Sequence, residues 1–381
     1  MGEATRYRWL LHVDLDQFQV SVERRRRRDL VGRAVIVGGD GDPTRARQVV
    51  TCASYEARDR GVRAGMPMRV AGKKAPDAVF LPLDMAAYEA ASTTVMDVLR
   101  RFGDAIEVWG WDEAYLGIDD RGIDERGIDG RGIDDRTGPS AHTLDEIVEV
   151  AQTIRRTVLA ETGLACCVGV SDNKQRAKAA TGFAKHAIRE PGATDEARIF
   201  VLDETNWSAL MDSRPCRDLW SVGSRTAAKL AAAGIDTVAQ LVATDRDELI
   251  AMFGPHQGTW LYVLSRGGGD DGISSEPSIA KSHSKAKTFD TDLTDYDDLL
   301  AAVHALTREV LDQVVAEGRM PFRVGLTVRT ATFFTRTKTR KMSEPSTEFA
   351  SIISVASALL DAFEVDRPIR LMAVRLELLD P

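Results

Sequence analysis

Three carboxylates in two short segments are the residues of this chain best suited to chemistry. Asp14 follows the apolar run Trp9–Val13, and Asp112 and Glu113 lie side by side within Glu107–Leu116. Acids gathered at one place repel one another, so a fold that brings these three together needs compensating cations. Hard oxygen ligands suit magnesium, which keeps coordination positions open for phosphates. Two such ions about 3.5–4 Å apart would activate a hydroxyl nucleophile and stabilise a departing pyrophosphate. An anionic triphosphate needs cations and donors of its own. Arg58 offers a planar fork, Lys185 a point charge and Tyr55 a hydroxyl. Lys178 precedes Lys185 by two helical turns, on the same helix face.

The elements that must position these groups follow from pattern. Trp9–Val13 reads as a buried strand ending at the acids, and Phe18–Leu30 as a helix carrying the run Arg24–Arg28. Consecutive arginines wrap all round a helix, so most of them must face solvent. Ala34–Val37 is a strand, followed by the turn-rich segment Gly38–Pro43. Gln48–Ala53 is a second β-like stretch, leading into Ser54–Arg58. Glu107–Leu116 reads as a hairpin with two acids near its tip, Thr143–Thr162 as an amphipathic helix and Cys166–Val170 as a strand. This β-α-β alternation predicts an α+β core.

Further along, Leu219–Leu230 followed by Gly234-Ile235-Asp236 predicts a turn, a helix and a glycine cap into a second helix. Such a pair leaves backbone N–H groups where a phosphate could sit. Gly267–Gly272 reads as a linker, and the chain from about Lys281 onward as a separate small α/β unit. From Gly117 to Arg136 the chain repeats GIDDR, GIDER, GIDGR and GIDDR, a unit too short for a solenoid. The nine-residue period of a calcium-binding β-roll is absent, and the expectation is a solvated loop without chemistry.

A length of 381 residues allows two to four domains. No segment approaches the ~20 apolar residues of a membrane span, and Asp14 and Asp16 break the only apolar run near the N-terminus, so a cytoplasmic protein is expected. The four cysteines have no metal-binding spacing. A net charge of −8 argues against a uniformly basic surface, yet seven Lys or Arg and no acid lie between Arg319 and Lys341. Local fields, rather than whole-chain sums, steer phosphates. In Thr335–Arg340 cations alternate with threonines at the period of a strand, which places Arg336, Lys338 and Arg340 on one face at about 6.6 Å intervals. Such a row suits a phosphate backbone and positions it without reading sequence.

Four stretches resemble the Y-family DNA polymerases: His12–Phe18 with Ser21-Val22-Glu23, Ala53–Arg58 with Gly61–Pro67, Trp111–Leu116, and Val168–Lys174. The likeness runs over nearly the whole chain and is nearest to the DinB, or DNA polymerase IV, branch. It implies an α+β multidomain right-hand polymerase, adding nucleotides to a primer 3′-hydroxyl with low fidelity and across lesions. The implied domains are a ferredoxin-like palm (1–17 and 84–202, with 117–136 inserted), fingers (18–83), a helix-hairpin-helix thumb (203–266), a linker (267–280) and a C-terminal α/β little finger (281–381). Two magnesium ions, with manganese as a substitute, would be held by Asp14, Asp112, Glu113 and the Leu15 carbonyl. Phe18, Gln19, Tyr55, Arg58 and Lys185 would bind the incoming nucleotide. Backbone groups near Val222 and Gly223, with Arg336, Lys338 and Arg340, would hold primer-template DNA, and the protein would act as a monomer.

Three departures carry consequences. The family usually places Phe or Tyr where this chain has Gln19, so sugar discrimination should weaken and ribonucleotides should be accepted beside deoxyribonucleotides. Lys185 is followed by His186 and a longer loop to Arg198, where the family often has Lys-Pro and Gly. No Gln-x-x-Leu-Phe-like tail follows the last strand, so weak or no binding to a sliding clamp is expected. Rival readings are a DNA-binding repair scaffold of the same fold, which would lack the carboxylates, and a nucleotidyl cyclase, which would have no use for the thumb or the basic strand.

Overall fold

Trp9–Leu15 (β1) is buried on both sides, which puts it at the centre of a sheet. The computed structural model describes residues 5–103, 105–118, 143–276, 279–363 and 367–380. They fall into two units, Met1–Thr44 with Gln48–Pro277, and Arg45–Arg47 with Ser278–Pro381. After β1 comes the helix Phe18–Arg26 (α1), which ends earlier than the expected Leu30 because a separate 3-10 turn takes up Arg28–Leu30. Val35–Val37 (β2), Cys52–Ala53 (β3) and Val79–Leu81 (β4) form a small sheet with β2 in the middle. The short helix Tyr55–Asp59 (α2) leaves it, capped by the Ser54 side chain.

The main sheet adds Ala105–Val108 (β5), Glu113–Ile118 (β6), Cys166–Ser171 (β7) and Ile199–Val201 (β8), in the order β5-β6-β1-β7-β8. The side chains alternate strictly between its faces. Leu11, Val13 and Leu15 join Ala114, Leu116, Val168 and Val170 in a core with the helices Met85–Leu99 (α3) and Leu144–Thr162 (α4). Leu10, His12 and Asp14 therefore face the other way, as do Glu113 and Tyr115 paired beside them. That second face is covered by the helix Lys174–Ala187 (α5). Gly169 of β7 makes the close approach: a Cβ there would lie 2.0 Å from the Ala177 carbonyl oxygen. The repeats begin with Gly117 and Ile118 inside β6; the rest of that segment lies outside the described residues.

The arginine run is mostly spent on neighbours. Arg24 pairs with Glu56 at 2.8 Å, Arg26 with Asp84 at 2.7 Å, and Arg25 reaches the Thr162 carbonyl at 2.9 Å. Past β8, Ser224–Ala232 (α6) and Val238–Ala243 (α7) form the expected helical hairpin around Gly234, which has φ 78°. The segment read as a linker is laid against α5 instead. The Asp270 amide bonds Gln175 Oε1 at 2.8 Å, the Lys174 amide bonds the Asp270 carbonyl at 2.8 Å, and Gly272-Ile273 pairs with Thr5-Arg6. Its glycines permit contact, not slack: a Cβ at Gly269 would fall 1.7 Å from Gln175 Oε1.

The second unit is a four-stranded antiparallel sheet with helices on one side. Its strands are Ser282–Leu293 (β9), Pro321–Thr330 (β10), Thr335–Lys341 (β11) and Ile369–Leu378 (β12), in the order β9-β12-β10-β11. Val324, Leu326, Val328, Met372, Val374 and Leu376 pack under the helices Tyr296–Ala316 (α8) and Phe349–Asp361 (α9). Among the described residues no helix is long and apolar enough to cross a membrane.

Candidate active site

The acid-bearing face of the main sheet and one stripe of α5 meet residue for residue. Lys174 pairs with Glu107 of β5 at 2.9 Å, Lys178 with Glu113 of β6, Thr181 with His12 of β1 at 2.8 Å, and Lys185 with Asp14 of β1. The steps of four, three and four residues keep these side chains on one side of a 3.6-residue helix. Asp112 joins through the main chain: the Leu15 amide donates to the Asp112 carbonyl at 2.8 Å. Leu15 is itself 2% exposed, with its side chain in the core.

The charges are unevenly settled. Glu113 is pushed down to about 2, chiefly by the nearby His12 ring and then by Lys178. His12 is fully buried, and that burial lowers its own pKa. Its Nε2 stands 3.3 Å from Glu113 Oε2 but off the line of a good hydrogen bond, leaving the nitrogen without a well-formed partner. Burial, then the like charge of Asp14, holds the Asp112 carboxyl above its usual range. Burial opposes the charge on Lys185, yet Asp14 more than offsets this, and the amine is held above its ordinary value.

Asp112 is thus a half-buried acid beside a second acid, and the Lys178 and Lys185 amines are paired with its neighbours Glu113 and Asp14. Oxygen donors in that state fit a divalent ion. Among the described residues no three His, Cys, Asp or Glu converge as a finished metal cage. The carboxylates of Asp14 and Glu113 are instead each paired with a lysine of α5.

Beside the acids, the Tyr55 ring is close to two guanidinium groups, Arg58 at 5.3 Å and Arg189 at 5.2 Å from the ring centre. Its hydroxyl donates to Asp16 at 3.3 Å, and its pKa is raised by burial and then by that carboxylate. Arg58 is steadied by its bond to the Ala53 carbonyl at 2.9 Å. Arg189, and Arg198 paired with Asp16, belong to this cluster but were not singled out as ligands from sequence. Only their place in the loop after Lys185 could have flagged them. Phe18 is 4% exposed and packs in the core, so its ring is not open to a ligand. Gln19 accepts a bond from the Thr51 hydroxyl at 2.6 Å, which leaves its amide NH2 free to donate.

Distant from this cluster, the Val222 amide is already bonded to Leu219 at 3.1 Å, so it is not the free donor expected there. Gly223 caps α6, and the space above its Cα is open. Arg336, Lys338 and Arg340 do share a face, but they oppose Val328, Leu326 and Val324, so it is the side that carries α9. Lys338 reaches the Ala362 carbonyl at the end of α9, a favourable place for a cation. The opposite, uncovered face holds Arg323, Thr327, Arg329, Thr337, Thr339 and Lys341. Register decides between the two faces, and alternation alone could not.

A model of the impB/mucB/samB family matches residues 13–182, and its C-terminal domain model matches 280–381. A thumb-domain model described for DNA polymerase-iota matches 217–269. DNA polymerase IV 2 of Mycobacterium tuberculosis (strain ATCC 25618 / H37Rv) is 49% identical over 371 residues, 97% of this chain and 98% of the relative. The chain belongs to the DNA polymerase IV branch of the Y family of DNA-directed DNA polymerases. DNA polymerase IV of Methanoculleus marisnigri is 35% identical over 98% of this chain and 95% of its own. Among solved structures, a Y-family DNA polymerase chimera, Dbh-Dpo4(243-245)-Dbh, superposes with a TM-score of 0.78 at 24% identity, covering 97% of this chain and 98% of that one. The insertion ternary complex of Dbh DNA polymerase gives 0.61 at 23% identity over 97% and 99%. The fold of this polymerase is the mixed α and β architecture of that family, including its helix-hairpin-helix thumb. Y-family membership also brings dependence on a divalent metal and a need for DNA and deoxynucleotides.

Proposed function

We propose that this polymerase extends a primer 3′-hydroxyl by two-metal phosphoryl transfer, at low fidelity and across lesions, with weak discrimination between ribose and deoxyribose. The observation that carries this reading is the gathering of Asp14 and Glu113 on one sheet face, with Asp112 next to Glu113 and lysine amines closing on the two strand acids. Asp14, Asp112, Glu113 and the Leu15 carbonyl would hold two magnesium ions, or manganese. When bound, such ions activate the hydroxyl and neutralise the departing pyrophosphate. Tyr55, Arg58 and Lys185, with Arg189 beside them, bind the triphosphate. The first N–H groups of α1, at Phe18 and Gln19, add donors at the positive end of a helix. Lys185 is shared between Asp14 and the phosphates, and Lys178 gives up Glu113 as the site fills.

Gln19 takes the place of an aromatic wall beneath the sugar. Drawn onto Thr51 and with a free amide, it can donate to a 2′-hydroxyl instead of colliding with it. The palm is assigned to 1–17 and 84–202, the fingers to 18–83, the thumb to 203–266 and the little finger to 281–381. DNA phosphates meet the open amide of Gly223 and its neighbours on α6. They also meet Arg336 and Arg340, together with the cations of the uncovered little-finger face, while Lys338 serves α9 first. A cytoplasmic setting agrees with four free, buried cysteines.

Primer extension on a defined template tests the reading. Deoxy- and ribonucleotides are offered separately, with magnesium or manganese. Templated extension by the wild type and a loss of about 10³-fold in Asp112→Ala are expected. If both proteins are silent yet bind primer-template, the chain is a scaffold instead.

A further inference from the structure

Residues 331–334 turn the chain between β10 and β11, and the turn ends in two adjacent, largely exposed phenylalanines. Phe333 is 63% exposed and Phe334 is 56% exposed. Phe333 sits at the tightest point, with φ 64° and its amide bonded to the Thr330 carbonyl at 3.0 Å. Left-handed backbone of that kind favours glycine or asparagine, and a bulky side chain there is strained. The turn nevertheless holds an aromatic ring out into solvent.

Each ring is paired with a cation. The Arg370 guanidinium lies 4.7 Å from the Phe333 ring centre, and that of Arg336 lies 5.7 Å from Phe334. Arg329 anchors the base of the turn through Thr335 at 2.8 Å. No acid occurs between Arg319 and Lys341. Threonines at 330, 332 and 335 flank the rings, so the apolar area along the turn is small. That is far below the about 800 Å² per partner of a stable protein interface. Bare aromatic faces among cations are the arrangement on which unpaired bases stack while the neighbouring phosphates are held. Base pairs inside a duplex are already stacked on both faces and offer none to such rings.

We propose that the Phe333-Phe334 turn is a stacking platform for unpaired template bases, so that the little finger grips the single-stranded part of a primer-template as well as its duplex. The inference deepens the polymerase reading and rests on primer-template DNA being the substrate. It gives the two rings a ligand class, single-stranded DNA without base preference, because every base has a π-face.

The test compares affinity for a blunt duplex with affinity for the same duplex bearing a long 5′ template overhang, at fixed ionic strength. The proteins are the wild type, Phe333→Ala/Phe334→Ala and Phe333→Leu/Phe334→Leu. The wild type should bind the overhang substrate more tightly than the blunt duplex. The alanine pair should lose roughly tenfold of that gain while blunt-duplex affinity stays unchanged. The leucine pair should lose as much, since it keeps apolar bulk but no π-face. Equal losses on both substrates, no overhang gain in the wild type, or full rescue by leucine would each overturn the proposal. So would sedimentation showing a wild-type dimer that the alanine pair dissolves, because the turn would then join copies of the chain. Primer extension by the wild type is run alongside. If extension fails while the overhang gain depends on the rings, the polymerase reading falls and the stacking site stands.

Discussion

Lys185 of α5 closes its amine on the carboxylate of Asp14 in β1, so the helix and the central strand are joined at the acid-bearing end of the sheet. Two turns back, Lys178 does the same to Glu113. A sheet face carrying Glu107, Glu113 and Asp14 would repel itself if left bare. The α5 stripe of Lys174, Lys178 and Lys185 supplies the opposite charges in matching order. The fold therefore keeps its acids gathered by pairing them with amines.

Removing one of these amines should trade stability of the metal-free fold for metal affinity. Lys178 and Glu113 are each 24% exposed, between a surface pair and a buried one. Lys178→Met should therefore destabilise the protein in chelator by roughly 1 kcal/mol. With the amine gone, added manganese should raise the melting temperature by more than it does in the wild type. Paired thermal melts, in chelator and across a manganese titration, decide this. An unchanged manganese shift would mean that the lysine does not compete for Glu113.

Much of this site can be read from the chain, and the remainder fails for identifiable reasons. Asp14 and Glu113 fall where the sequence expects them, at the end of an apolar strand and near a hairpin tip, and strand pairing sets their face opposite the apolar core. The seven-residue step between Lys178 and Lys185 likewise implied a shared helix face. Three placements depended on what packs where. Gly267–Gly272 has linker composition, but its glycines serve a close approach to Gln175 that sequence does not display. Arg336, Lys338 and Arg340 alternate as expected, yet only pairing with Val328, Leu326 and Val324 reveals that α9 covers their side. Val222 carries an amide like any other residue until a turn bonds it to Leu219.

Glu113 and Asp112 should respond to acid with opposite signs. The Glu113 carboxyl sits at about 2 against an ordinary 4.5, so its stabilising contribution is complete above 4.5 and is lost as pH falls toward 2. Asp112 is held above its ordinary value by burial and by Asp14, so its ionised form opposes folding at neutral pH. In chelator, Glu113→Gln should flatten the fall in melting temperature between pH 4.5 and 2. Asp112→Asn should raise the melting temperature at pH 7. Melting curves parallel to wild type in both variants would remove the electrostatic account of the site.

The sugar pocket offers a gain-of-selectivity test. Gln19→Phe places a rigid ring where a flexible amide now turns toward Thr51. The ratio of ribonucleotide to deoxyribonucleotide kcat/KM should fall roughly tenfold or more. Deoxyribonucleotide insertion should change far less, because a 2′-hydrogen meets no ring edge. Thr51→Val should shift the ratio in its own right by releasing the amide. An unaltered ratio in Gln19→Phe would place sugar selection elsewhere.

The most economical disruption of the site lies outside it, at Gly169. This residue lies on β7 directly beneath α5, where a Cβ would come within 2.0 Å of the Ala177 carbonyl oxygen and 2.5 Å of the Thr181 amide nitrogen. Both obstacles are helix backbone and cannot rotate away. Gly169→Ala must therefore lift α5 off the sheet or fail to fold well, a cost of about 1–3 kcal/mol. Lifting the helix also carries Lys178 and Lys185 away from Glu113 and Asp14. Extension should consequently drop by far more than DNA binding does, since the little finger has a core to which α5 contributes nothing. A variant that melts several degrees lower but extends primers normally would show that the spacing between α5 and the acids does not matter to the reaction.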